Sequence, residues 1–168
     1  MNDLKKVLMY LKEHELILTT AESCTAGHII HLLAKLAGSG ACLDTGYVVY
    51  CTNAKKRLLR VKQKTIDKYT LTSEPIAREM VQGALLDSDA NVAVATTGIA
   101  GSKPMDGVAA GTICFGWGFK NQRDPNIVLY SETLHFAGKR SQILNDASKY
   151  ALIQIPPLHQ KYLTAFTD

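Results

Sequence analysis

Three short stretches of the chain carry residue types that acyl-transfer chemistry uses. The first, Thr20-Ala21-Glu22-Ser23-Cys24-Thr25-Ala26-Gly27, is dense in hydroxyls. A serine at the mouth of a helix is commonly a cap and nothing more. The same position collects backbone N–H groups and the positive end of a helix dipole, which suits a phosphate or the oxyanion of an acyl intermediate. Spacing alone leaves cap and nucleophile both open for Ser23. The second stretch holds Tyr50 and Lys55. Either can act as a base when burial or a neighbouring cation lowers its pKa. Their ordinary alternatives are a core aromatic and a surface lysine. The third, Thr97-Gly98-Ile99-Ala100-Gly101, offers a hydroxyl for an oxyanion or a proton, then glycines that let backbone approach a ligand. It is neither G-x-G-x-x-G nor a Walker sequence.

The usual base for a serine is histidine. His14, His28, His31, His135 and His159 form no Ser-His-Asp order, and Ser23 lacks the G-x-S-x-G elbow because Glu22 and Cys24 flank it. The four cysteines have no metal-ligand spacing, so no metal and no cofactor are expected. Cys24, Cys51 and Cys114 lie in or beside apolar stretches and read as small buried hydrophobes. A reducing cytosol, without a disulfide framework, follows from that usage.

The elements that must position these residues alternate. Leu4, Val7, Leu8 and Leu11 give residues 2–13 helical spacing. Leu16 to Thr19 reads as a buried strand, and Ile29, Ile30, Leu32, Leu33 and Leu36 as a helix that Gly38 stops. Thr45 to Tyr50 is a second strand, and Asn53 is the expected cap of a short helix carrying Leu58 and Leu59. Thr72 or Ser73 opens a helix with Pro75 in its first turn and a face of Ile76, Met80, Val81, Ala84 and Leu85. Val92 to Ala95 is apolar throughout, as a central strand covered on both sides must be. Thr112 to Phe119 and Asn126 to Phe136 are two more strands. Ser141 to Ile155 is a last helix halted by Pro156-Pro157, and the pattern leaves the tail beyond it either frayed or docked. The expectation is one α/β domain over residues 1–168: a three-layer α/β/α sandwich with a mostly parallel, mixed sheet of about five strands. Ligands in such sheets lie beyond the carboxyl ends of the strands, which singles out 20–27, 50–55 and 97–111.

At 168 residues, 46% hydrophobic and 20% charged, the chain is long enough for one packed core. No run approaches the ~18 apolar residues of a membrane span, so no membrane partner is expected. A net charge of +4 suits an anionic small molecule. The basic residues Lys55, Lys56, Arg57, Arg60, Lys62, Lys64 and Lys68 crowd together. Few aromatics interleave with them, so a solvated face is preferred over nucleic-acid binding.

The same stretches resemble the signatures of the CinA C-terminal domain family, the PncC-type nicotinamide-nucleotide amidohydrolases. Thr20 to Gly27 resembles T-A-E-S-C-T-G-G. Gly46 to Tyr50 with Ala54-Lys55 resembles G-x-V-x-Y-S-N-E-A-K, and Leu59-Arg60-Val61 stands at L-G-V. Thr97 to Gly101 matches T-G-I-A-G, and Gly111-Thr112 a later G-T. Phe136, Gly138 and Arg140 resemble F-x-G-D-R. The resemblance runs from about residue 16 to the end of the last helix. It implies a serine amidohydrolase that converts nicotinamide mononucleotide to nicotinic acid mononucleotide and ammonia, in pyridine-nucleotide recycling, as a cytoplasmic homo-oligomer. Ser23 would be the nucleophile, Tyr50 with Lys55 its activator and Thr97 a support of the reacting centre. Thr20, Cys24, Thr25, Gly27, Gly98, Ala100, Gly101 and Arg140 would contact the substrate. The N–H groups at the helix start would hold the oxyanion. The chain departs from the pattern at Ala26, Cys51-Thr52-Asn53, Ser102 and Lys139. Those changes lie mostly in loops and leave a second expectation, a weakly active or inactive CinA-like regulatory module.

Overall fold

A computed structural model describes residues 2–121 and 124–165, and side chains within that span except those of residues 124 and 125. The elements run α1 (Asp3–Glu13), β1 (Leu18–Glu22), α2 (His28–Ala34), β2 (Leu43–Val48), α3 (Thr52–Leu59), α4 (Gln63–Tyr69), α5 (Glu74–Leu86), β3 (Val92–Gly98), β4 (Thr112–Asn121), β5 (Asp124–His135), α6 (Arg140–Ile153) and α7 (Ile155–Thr164). One five-stranded sheet has the order β2-β1-β3-β4-β5. β2, β1 and β3 are parallel, whereas β4 is antiparallel to both its neighbours. The sheet is therefore mixed, its parallel part confined to the three strands that approach the candidate site.

The two faces of the sheet are built differently. On β4, Ile113, Phe115, Trp117 and Phe119 join the core shared with α1, α2, α6 and α7. The indole of Trp117 donates to the Ala151 carbonyl of α6 at 2.8 Å. The intervening Gly116 and Gly118 lie against Ala77 and Val81 of α5. β3 divides the same way, with Val92 and Val94 facing the aromatic core and Ala93 and Ala95 the smaller one beneath α5. Small residues let α5 lie close on the sheet, and α5 in turn carries α3. A Cβ at Gly83 of α5 would stand 2.1 Å from the Leu59 carbonyl oxygen of α3. That close approach fixes the helix bearing Lys55.

Several expected boundaries move. β1 begins at Leu18, not Leu16, and continues through Thr19, Thr20 and Glu22, all fully buried. Thr19 is accommodated by donating to the Thr45 carbonyl. β2 ends at Val48, so Tyr50 lies in the turn beyond it. Cys51, rather than Asn53, caps α3: its Sγ accepts from the Ala54 N–H. Cys51 is exposed, unlike the other three cysteines, and all four are free thiols. α2 ends at Ala34, ahead of Gly38. Pro156 and Pro157 do not halt a helix but open one, since proline is at home in a first turn. The tail docks as α7, burying His159 and Tyr162. α4 was not expected; Thr65 is its one buried residue, so it has no apolar stripe to read. Of the basic cluster, Lys55 alone is buried, and the other six cations are solvated. No helix of the described residues is long and apolar enough to cross a membrane.

Candidate active site

β1, β2 and β3 end side by side and open onto a cavity of about 310 Å³, at the small end for ligand sites. Its lining draws on all three segments at the strand ends: Ser23 and Cys24, Tyr50 and Lys55, and Thr97 to Gly101. Arg140 closes one side. The strand ladder runs into the site. Ser23 N–H donates to the Thr96 carbonyl at 3.0 Å, and Val49 N–H to that of Glu22 at 2.9 Å.

Lys55 is buried in the cavity wall, with 2% of its surface exposed. Its Nζ lies 2.9 Å from Ser23 Oγ, 2.9 Å from the Val49 carbonyl and 3.2 Å from the Tyr50 carbonyl. Among the described residues no carboxylate pairs with it. Burial therefore pushes its pKa below the ordinary 10.5, partly opposed by Cys24 and Cys51. The two carbonyls can only accept. A neutral Lys55 gives both its hydrogens to them and aims its lone pair at Ser23 Oγ. That is a serine with a base in place, and Lys55, not Tyr50, makes the contact. The neighbouring thiol is a poorer nucleophile here: burial pushes Cys24 up to about 12, so it stays protonated.

Tyr50 is 60% exposed at the cavity mouth, and its hydroxyl accepts from Arg140 Nη2 at 3.0 Å. Thr97 Oγ1 donates to the Leu71 carbonyl at 2.8 Å, which commits its proton and leaves it an acceptor in the cavity wall. Ala100 and Gly101 line the wall as expected of neighbours to a ligand. Gly98 lines it too, but a Cβ there would meet Thr112 O and Ile113 Cδ1, each at 2.6 Å, so its smallness serves β4.

Three residues expected to touch substrate do not line the cavity. Thr20 is fully buried inside β1, with its Oγ1 unpartnered. Thr25 and Gly27 are turned to Glu22. That carboxylate, fully buried, accepts from Thr25 Oγ1 at 2.7 Å, from the N–H groups of Gly27 and Ile29 at 3.0 Å, and from Ile30 N–H at 3.1 Å. His28 N–H goes to the Thr25 carbonyl. Every donor of the first turn of α2 is taken, so the helix start is not the expected oxyanion site. Glu22 had no expected role. Its signal in the sequence was an acid one residue before Ser23 and six before a helix, but only the closed turn shows which amides it receives. Ala26 and Gly27 both take positive φ, +50° and +91°, within that turn. No group of three or more His, Cys, Asp or Glu able to hold a metal occurs among the described residues.

Fold and site together define a three-layer α/β protein with a buried serine–lysine pair at the carboxyl ends of its parallel strands. The CinA C-terminal domain model matches residues 2–158, and the chain belongs to that family. It is 37% identical to protein YdeJ of Escherichia coli K12 over 142 residues, 84% of this chain and 79% of that one. It is 34% identical to the nicotinamide-nucleotide amidohydrolase PncC of the same strain, over 84% of each chain. A solved CinA superfamily protein from Escherichia coli superposes with a TM-score of 0.85 at 35% identity, covering 94% of this chain and 88% of that one.

Proposed function

We propose that the protein is an amidohydrolase that deamidates nicotinamide mononucleotide through Ser23, with Lys55 as the base. The observation that carries the reading is the buried Lys55 amine, 2.9 Å from Ser23 Oγ and drawn toward its neutral form by burial. The activity named for the PncC relatives supports the substrate. Ser23 Oγ attacks the carboxamide carbon and its proton passes to Lys55. The ammonium returns that proton to the departing nitrogen, and ammonia leaves. Water then attacks the acyl-serine, again through Lys55, and the carboxylic acid is released. For the oxyanion, the N–H of Cys24, the residue directly after the nucleophile, is the donor of this reading. Arg140, without a carboxylate partner among the described residues, suits the substrate phosphate. Pyridine-nucleotide recycling in the cytoplasm, by a homo-oligomer without metal or cofactor, completes the reading.

A second reading, a weakly active or inactive family member, is favoured by Ala26, which holds a left-handed conformation that glycine adopts without strain. One assay separates them. The wild-type protein should release ammonia from nicotinamide mononucleotide, and Ser23→Ala should abolish release while leaving Tm nearly unchanged. A folded wild-type protein without turnover rejects the amidase reading.

A further inference from the structure

Among the described residues Glu22 is the only fully buried acid, and no step of the acyl transfer uses it. It does not line the cavity, and no lysine, arginine or histidine of the described residues pairs with it. A carboxylate is seldom buried unless its charge is answered. Here hydrogen bonds alone answer it. Oε2 takes the Thr25 hydroxyl and the N–H groups of Gly27 and Ile29, and Oε1 takes that of Ile30. The N-cap of α2 is Gly27, which has no side chain to offer its amides. The last residue of β1 therefore caps the helix that follows, and Ser23 lies in the span so closed. A second tie runs to β3. Thr25 spends its proton on Glu22, so its Oγ1 accepts from Thr96 Oγ1 at 2.7 Å. The Thr96 carbonyl receives the Ser23 N–H at 3.0 Å. Ser23 is thus held on both sides by groups fastened to Thr96, with Glu22 as their anchor.

We propose that Glu22 is a positioning residue for acylation: by joining β1 to α2, and through Thr25 to β3, its carboxylate holds Ser23 Oγ against the Lys55 amine. This inference rests on the reading of Ser23 as nucleophile and Lys55 as base, and deepens it. Glu22 moves no proton and touches no substrate. It sets how well the hydroxyl is aligned for attack. Without it the rate of attack should fall about 10- to 100-fold, the scale on which small misplacements act. KM should stay close to its wild-type value, because Glu22 does not line the cavity. The pH midpoint of kcat should also stay, because Lys55 answers to its own burial and to Cys24 and Cys51.

The test is Glu22→Gln, which keeps the outline of the side chain but sets an NH₂ group against amide donors. Ammonia release from nicotinamide mononucleotide gives kcat, KM and the pH midpoint. Labelling by a fluorophosphonate probe reads attack by Ser23 without any carboxamide substrate. Both rates should fall together. Thr25→Val, which cuts the tie to Thr96, should lower them too, whereas Thr25→Ser, which keeps the hydroxyl, should retain most of the wild-type rate. Circular dichroism confirms that each variant is folded at the assay temperature. If Glu22→Gln does not fold, the Thr25 pair decides. Undiminished labelling in folded Glu22→Gln or Thr25→Val overturns the proposal. So does a shifted pH midpoint, a raised KM with kcat intact, or a Thr25→Ser protein as slow as Thr25→Val. A wild-type protein that labels without releasing ammonia sinks the proposed substrate and leaves this inference standing. One that does neither sinks both.

Discussion

Lys55 differs from the six cations around it by its burial, and the difference has measurable consequences. Its pKa lies below 10.5 in the folded chain because burial disfavours the ammonium. The neutral amine is the base, so kcat should rise with pH through that lowered pKa and level off above it. Lys55→Arg keeps a cation that does not deprotonate, and should cost about 10²- to 10⁴-fold in kcat, the usual worth of a general base. Stability follows the same sign. Between the lowered folded pKa and 10.5 the unfolded chain binds the extra proton, so stability rises with pH across that window. Thermal melts of Lys55→Met should lack that rise. At Ala26 the left-handed backbone costs an L-residue about 1–2 kcal/mol, and glycine returns about 0.4–1 kcal/mol of that through the freedom of the unfolded chain. Ala26→Gly should therefore raise stability by roughly 0.5–1 kcal/mol, read as a Tm increase of about 1–4 °C. That Ser23, Lys55 and Thr97 line one cavity was legible because the chain keeps the family's residues at the family's positions. The work of Glu22 was not, because its four donors converge only when the turn closes.

At the scale of elements, α3 is placed by α5 and not by the sheet. Gly83→Ala shows the competition. Alanine favours a helix over glycine by about 1 kcal/mol. The new methyl, however, would meet backbone of α3 at 2.1 Å, and overpacking of that kind costs about 1–3 kcal/mol. The clash should win. Gly83→Ala should lower Tm, and by displacing α3 it should also lower kcat, which calorimetry and steady-state kinetics would read independently. The missed elements share a cause. α4 buries almost nothing, and β1 runs through two buried threonines, of which Thr19 is accommodated by a carbonyl on β2. α7 was read as a stop because two prolines end one helix and begin another equally well. The apolar run of β3 was plain, since a strand covered on both faces is apolar throughout.

Across the whole molecule, the end of the sheet remote from the cavity holds an aromatic cluster that ties α1 to α7. His159 of α7 lies against Phe119 and Tyr162, 5.3 Å between ring centroids from His14, with its Nδ1 3.0 Å from the Tyr10 hydroxyl. Burial, with His14 adding to it, pushes its pKa down to about 4. The unfolded chain then binds the extra proton between about 6.5 and 4, so the neutral contact stabilises the fold above that window and its contribution is lost as pH falls through it. Tm should drop over that range, and His159→Phe should flatten the drop, because phenylalanine has nothing to protonate. The division of labour between the two ends explains why the strand-end cavity was easier to find in the sequence than the clamp at the other end: the strand-end residues stand out by type and spacing, whereas the clamp depends on which rings happen to meet. The chain's single tryptophan packs against Phe115 and Tyr150 and does not line the cavity. Sealed between the sheet and α6, the indole is the protein's own optical reporter. Its emission should shift to the red when α6 comes away from β4 and stay unchanged when the cavity fills, so intrinsic fluorescence will follow unfolding while remaining blind to ligand.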